Sequence, residues 1–380
     1  MDRQLSGTMS PHVGNLSFMR FIQLGENQFH GEIPQEFGRL FRLRVLNLSS
    51  NALGGKIPAN LSYCSQMITI SLNRNKLEGK IPIVQLSNLK KLENFHLHTN
   101  NLTGEIPSSI GNLSSLTTLA LGFNNLEGNL PSDMGLLKKF AILTAGGNKL
   151  SCIMPASIFN CSAIIAISVP ANSFHGNLPT NIGLTLPNWK DYISGQTNSM
   201  ETSNFNHQCF WLEVLDLSRN KFEGQIPANL GDLTNLIVFD LYDNLFGSKS
   251  TGDLDFVASL INCSNLRSLS LTNQLSGTIP EGIGNFVNLH ILNLEENSLS
   301  GVIPRDIGKL QNLRRLRLGH NEFAGQIVST LSNSTTLYHP TILTGAMYLT
   351  IGSLPPEIGK LIHLVDFNVS HNHLVGDKPL

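Results

Sequence analysis

LRVLNLSSNALGGKIPANLSYCSQ, residues 43–66, is the unit from which most of this 380-residue chain is written. Leu43, Leu46 and Leu48 precede Asn51, and Leu53, Gly55, Ile57, Pro58 and Leu61 follow it, which generalises to LxxLxLxxNxLxGxIPxxLxxLxx. The alternation in LxxLxL suits a short strand with one face buried and one wet, so Leu46 and Leu48 point inward while Val45, Asn47 and Ser49 point outward. An asparagine amide both donates and accepts, and Asn51 therefore satisfies backbone groups that a tight bend leaves unpaired. Gly55 allows a turn that a Cβ would obstruct, and Ile57-Pro58 sets an extended segment that supplies no further amide to a sheet. Each unit predicts one coil.

The same asparagine returns as Asn27, Asn51, Asn75, Asn100, Asn124, Asn148, Asn172, Asn220, Asn244, Asn273, Asn297, Asn321 and Asn372, mostly 24 residues apart. A self-similar period of that length marks a stacked array. One coil cannot bury its own leucines, so stability is close to a sum of nearest-neighbour terms. The expectation is a single α/β solenoid over residues 1–380, with about fifteen units, a parallel concave β-sheet and a mostly irregular or short-helical convex side. Residues 189–211 keep the length of a coil but lose NxLxGxIP, and residues 337–363 carry extra length and no ladder asparagine. Drift in a duplicated gene and a specificity island are the two readings of these units. The longer unit 236–265, with STGDLDFVASLINCS, predicts a short convex helix capped by Ser250 or Thr251.

Composition narrows the function. The net charge is −1, with 26 basic and 27 acidic residues, so there is no basic field for a nucleic-acid partner. No stretch approaches the roughly 18 apolar residues of a spanning helix, and MDRQLSGTMS has no apolar signal-peptide core, so direct membrane insertion by this chain is not expected. GxGxxG, GxxxxGK[ST], HRD, DFG, HExxH and GxSxG are absent, which argues against an enzyme and against a nucleotide cofactor. Cys64, Cys161, Cys209 and Cys263 each stand three residues before the next strand. The nearest two lie two coils, or roughly 10 Å, apart. A disulfide needs Cα atoms within about 7 Å, so these read as small buried thiols. Cys152 replaces the usual glycine of its unit. No CxxC or His pair offers a metal site.

The LxGxIP segment recurs as FHGEIP (29–34), LGGKIP (53–58), LEGKIP (77–82), LTGEIP (102–107), FEGQIP (222–227), LSGTIP (275–280) and LSGVIP (299–304). This pattern resembles the plant-type leucine-rich repeat. SPHVGNLSF, NLPTNIGLTLPNW (177–189) and DLDFVASLINCSNL (253–266) are similar to ectodomains of receptor kinases related to the flagellin, elongation-factor-Tu and rice bacterial-blight receptors. The resemblance implies a peptide-sensing extracellular region, at the plasma membrane, of a Ser/Thr receptor kinase in defence or other signalling, with a peptide or protein ligand and a leucine-rich-repeat co-receptor. The family's signal peptide, caps, membrane helix and kinase are not written in these residues, which suggests a fragment or incomplete gene model. The alternatives are a soluble inhibitor like the polygalacturonase-inhibiting relatives and a non-functional fragment.

Binding in such an array falls to outward strand positions, which are rigidly placed and free of packing duty. Asp216 and Asp240 occupy one such site in adjacent units, flanked by Arg219, Tyr242 and Asp243; they read as a socket for a cationic group or as a solvated face. Arg315 and Arg317 stand side by side on a later strand, where two guanidinium groups can hold a carboxylate. The pair is similar to the RxR with which some peptide-hormone receptors hold a ligand's carboxyl terminus. His96 and His98 are read as solvated. Glycosylation sequons stand at Asn15, Asn47, Asn60, Asn101, Asn112, Asn160, Asn262, Asn333 and Asn368. Asn47 and Asn368 fall on outward strand positions, where a glycan would obstruct the sheet face.

Overall fold

In the computed structural model of the chain, residues 5–161, 163–179, 182, 212–327 and 356–376 are described. Packing divides the chain into two compact units, Met1–His175 with Leu186–Phe205, and Gly176–Thr185 with Asn206–Leu380. In the first, three-residue strands at Phe21–Gln23, Val45–Asn47, Thr69–Ser71, Asn94–His96, Thr118–Ala120, Ile142–Thr144 and Ala166–Ser168 pair in parallel and in sequence order. Register places Leu46, Ile70, Phe95, Leu119, Leu143 and Ile167 in one fully buried row. The second unit repeats the device with Val214–Asp216, Val238–Asp240, Ser268–Ser270, Ile291–Asn293, Arg315–Arg317 and Asp366–Asn368.

The ladder asparagine does more than close its own turn. Asn124 Oδ1 accepts the Leu102 amide at 3.1 Å, while Nδ2 donates to Leu97 O in the preceding coil and to Leu121 O in its own. Asn51, Asn75 and Asn148 repeat this pattern. The residue before it holds a left-handed backbone whatever its type: Ser50, Arg74, Thr99, Phe123, Arg219, Asp243, Glu296 and His320 all have φ between 52° and 60°.

The structure adds three features to the sequence expectation. First, a second set of short parallel strands lies just before the IP segment. Ser6–Thr8, Gln28–Glu32 and Ala52–Gly54 form one group, and Ser276–Thr278, Ser298–Gly301, Glu322–Ile327 and His373–Gly376 another. The glycine of LxGxIP has positive φ and sits inside these strands, as Gly31 and Gly301 do, or just past the end, as Gly55 does, and Cys152 takes the same place at φ 69°. Second, the segment after the proline is a regular 3-10 turn, as at Gln35–Arg39 and Ala59–Tyr63, with Pro34 and Pro58 as N-caps. Gly38 in that turn is obligatory, because a Cβ there would strike the Asn60 carbonyl oxygen of the next coil. Third, the strand that follows Arg315–Arg317 in the main sheet, among the described residues, is the one that contains Asp366. Arg315–Arg317 pairs directly with Asp366–Asn368, and Asn372 Oδ1 accepts the Phe323 amide at 3.0 Å. Residues 328–355, and those of the other irregular unit, 189–211, lie outside the described residues.

The long unit does contain a short helix, Phe256–Leu260, but its cap is corrected. Asp255 occupies the N-cap without a side-chain bond, and the Ser250 hydroxyl donates to Asp253 instead. Asp253 is 6% exposed and also accepts the amides of Ser248 and Ser276. The thiols of Cys64, Cys161 and Cys263 are buried and donate to Phe37 O, Met134 O and Leu233 O, and burial pushes them up to about 12, 11 and 12. Cys209 lies outside the described residues.

Candidate functional site

The open face of the main sheet in the second unit is ordered by register. Asp216, Asp240, Ser270, Asn293, Arg317 and Asn368 form one outward row. Ser218, Tyr242, Thr272 and Glu295 follow two residues later, and the intervening Leu217, Leu241 and Leu271 are fully buried with Leu294 close behind. Beyond them come the left-handed residues Arg219, Asp243, Glu296 and His320.

The sequence-predicted acidic pair is brought together, but its carboxylates have local duties. Asp216 Oδ1 accepts the Ser218 amide at 3.1 Å and hydroxyl at 2.8 Å. Asp240 Oδ1 accepts the Tyr242 amide at 2.9 Å. Burial raises the Asp240 carboxyl, the Tyr242 amide opposes the rise and the neighbouring Asp216 adds to it, leaving the group at about 6 against an ordinary 3.8. Arg219 lies over the Tyr242 ring, 5.7 Å from its centroid, so these two flank the pair as an aromatic stack. Asp243 is exposed at the rim.

The arginine pair is divided by an interaction that the sequence did not reveal. Arg317 Nε and Nη2 both donate to Asp366 Oδ2, at 3.0 and 2.8 Å, because the main sheet passes directly from Arg317 to the strand of Asp366. That bond holds the Arg317 guanidinium up, with smaller contributions from Glu295 and Tyr242. Arg315 is exposed and has no ion pair among the described residues. A ligand carboxylate therefore meets Arg315 alone or competes with Asp366. Glu295 likewise accepts from Asn368 Nδ2.

Other outward candidates are placed as follows. His96 and His98 are half-buried, and burial lowers both, with Arg74 and His96 lowering His98 further. The amide oxygens of Asn47 and Asn368 accept from Ser49 and Ser370 within their own sequons, and both side chains are half-buried, as is Asn60. Asn15, Asn101, Asn112 and Asn262 are exposed; the Asn160 side chain and Asn333 lie outside the described residues. Among the described residues no group of three His, Cys, Asp or Glu could hold a metal ion, and no helix is long and apolar enough to cross a membrane.

A leucine-rich-repeat family model matches residues 264–323, and a second matches 42–64, 91–113 and 211–233. A receptor-like protein kinase of Arabidopsis thaliana is 44% identical over 54 residues, which is 14% of this chain and 5% of that protein. Among solved structures, the ectodomain of the Arabidopsis receptor kinase HAESA with an N-terminally extended IDA peptide hormone ligand has a TM-score of 0.78 at 27% identity, covering 98% of this chain and 52% of that one. The ectodomain of the Arabidopsis receptor kinase GASSHO1/SCHENGEN3, in complex with CASPARIAN STRIP INTEGRITY FACTOR 2, has a TM-score of 0.72 at 26% identity, covering 99% and 41%. HAESA in complex with IDA and the co-receptor SERK1 matches at a TM-score of 0.56 and 26% identity, covering 99% and 70%. The repeats and the parallel stacked strands define a leucine-rich-repeat solenoid. Within that class, the chain is similar to the ectodomains of plant leucine-rich-repeat receptor kinases. It spans about half or less of the length of the first two ectodomains and a small part of the curated kinase.

Proposed function

We propose that this chain is the ligand-reading part of a cell-surface receptor kinase, facing the extracellular side, without catalytic activity of its own. The open face of the second unit is its recognition surface, and it takes an extended peptide or a protein segment. The observation that carries this reading is the row of polar and charged side chains from Asp240 and Tyr242 to Arg315 and Arg317, fixed in register while every packing position between them is aliphatic or aromatic. Three coil steps separate Asp240 from Arg317, about 14 Å, which four or five extended residues cross. The similar ectodomains are bound to peptides and, in one case, to a co-receptor, which supports a peptide ligand and a leucine-rich-repeat co-receptor here. Defence signalling is the output implied by the wording of residues 177–189 and 253–266.

The test is a panel of synthetic extended peptides, each with a free and an amidated carboxyl terminus, measured by surface plasmon resonance against wild type, Asp240→Lys and Arg315→Glu. Charge reversal at Asp240 should weaken binding about tenfold or more, and Arg315→Glu should erase any preference for the free carboxylate. Unchanged affinity in both variants would sink the assignment of this face.

A further inference from the structure

One coil of the second unit is short by a residue at its rim. In the regular unit two residues separate the last inward leucine from the ladder asparagine, as in Leu48-Ser49-Ser50-Asn51; in Leu271-Thr272-Asn273 there is one. The residue lost is the left-handed one, and no positive φ occurs at Thr272. Asp243 and Glu296 hold that position in the coils on either side, at φ 57° and 54°, so the rim row is interrupted between two exposed acids. Those flanking coils are two steps apart, about 10 Å, which is the width of one side chain in a gap.

The floor of the gap is polar and incompletely satisfied. Ser270 and Thr272 alternate with the fully buried Leu269 and Leu271, so they are on the side of the open face, although both are themselves covered. In regular coils the residue two places after the strand's last outward position is bonded to it, as Ser218 is to Asp216 and Ser49 to Asn47. Thr272 is 4% exposed, and its hydroxyl has no hydrogen-bond partner. Its coil neighbours on the face are Tyr242 and Glu295, both half-buried, with Asp240 one row below. An unpaired buried hydroxyl is costly, and an occupant that supplies a donor recovers that cost.

We infer that this notch is a subsite for a single cationic side chain, lysine or arginine, carried by the ligand. The cation is received by Asp240 and Glu295, guided in by Asp243 and Glu296 at the rim, and hydrogen-bonded at its base to Thr272 Oγ1. Of the two nearby guanidinium groups, Arg219 stacks on Tyr242 one coil away and Arg317 is paired with Asp366 while also feeling Glu295, so the cation shares Glu295 with Arg317 and is held chiefly by Asp240 and the rim acids. Entry requires Tyr242 or Glu295 to turn outward. The inference rests on the recognition surface proposed above and specifies the side-chain chemistry read at its centre.

The experiment uses octapeptides of glycine and serine that carry one central lysine, arginine, glutamate or leucine, with binding measured by fluorescence anisotropy. Lysine and arginine peptides should bind about tenfold tighter than the other two. Thr272→Val should abolish that preference while leaving the melting temperature unchanged or higher, because an isosteric apolar group removes the unpaired hydroxyl. Asp243→Asn with Glu296→Gln should reduce the preference without loss of folding. A Thr272→Val protein that keeps the preference overturns the subsite, as does equal binding of all four peptides, which would still leave the open face as a ligand surface. Failure of every peptide panel, including the one above, removes both readings.

Discussion

Asp240 shows what a single outward position can conceal. Its neighbours in sequence suggested only a like-charged pair with Asp216, yet the carboxyl sits against the sheet, accepts the Tyr242 amide and is raised to about 6. Asp216, Arg219, Tyr242, Asp243 and, two coils on, Glu295 are charged or titratable groups on the same face. A carboxyl whose folded value lies above its unfolded one binds its proton more tightly in the folded chain, so its contribution to stability falls as pH rises from about 4 to 6. A rise of two units corresponds to roughly 3 kcal/mol. Asp240→Asn is therefore expected to raise the melting temperature at pH 7 and to leave it unchanged near pH 3.5, read by calorimetry across that range. Equal melting temperatures at both pH values would show that the carboxyl is not strained. Cys152, by contrast, was legible as a departure from glycine, and the structure adds the left-handed backbone that makes glycine the better residue there.

At the scale of the element, the long coil with helix Phe256–Leu260 was visible from STGDLDFVASLINCS, but not what secures it. Sequence logic favoured Ser250 or Thr251 as a cap because hydroxyls satisfy helix amides. The competing acceptor, Asp253, gathers Ser248, Ser250 and the Ser276 amide from the following coil, and so ties the insertion to its neighbour. Burial pushes this carboxyl up, but those hydrogen bonds outweigh burial and hold it below the ordinary range. Asp253→Ala should cost about 2 kcal/mol in a urea titration at pH 7, since it leaves the part-buried amides of Ser248 and Ser276 without their charged acceptor. A group with a lowered folded value stabilises at pH above the ordinary carboxyl range. The difference between variant and wild type should therefore shrink as pH falls below about 4; a difference independent of pH would contradict the ionised acceptor. The second set of strands was missed for a related reason: only the adjacent coil supplies their partners, and no periodicity within one unit announces them.

For the whole molecule, the interrupted asparagine ladder was easy to see, but not which coils it joins. Counting lengths gave residues 337–363 a coil of their own, most of it outside the described residues, while Asn372 bonds to Phe323 and Leu318. That pairing brings Asp366 to Arg317 and Asn368 to Glu295, and with them it rewrites the candidate carboxylate clamp. The sequons sort on the same basis. Expression through a secretory host, followed by glycopeptide mass spectrometry of the folded fraction, should find glycans at Asn15, Asn101, Asn112 and Asn262, which are exposed. Asn47 and Asn368 should be unmodified, because their amides already close turns with Ser49 and Ser370. High occupancy at either would contradict those turns.

The spacing of leucine, asparagine, glycine and proline was enough by itself to determine a parallel stacked solenoid of the plant type. Each of those residues answers a need that recurs in every coil: a buried contact, an unpaired amide, a left-handed turn or a fixed φ. Which outward side chains remain available to a ligand was decided only by the tertiary structure. Availability depends on what the next coil places alongside, as Asp366 does for Arg317 and the shortened turn does for Thr272, and adjacency between coils is a property of register that no single unit contains.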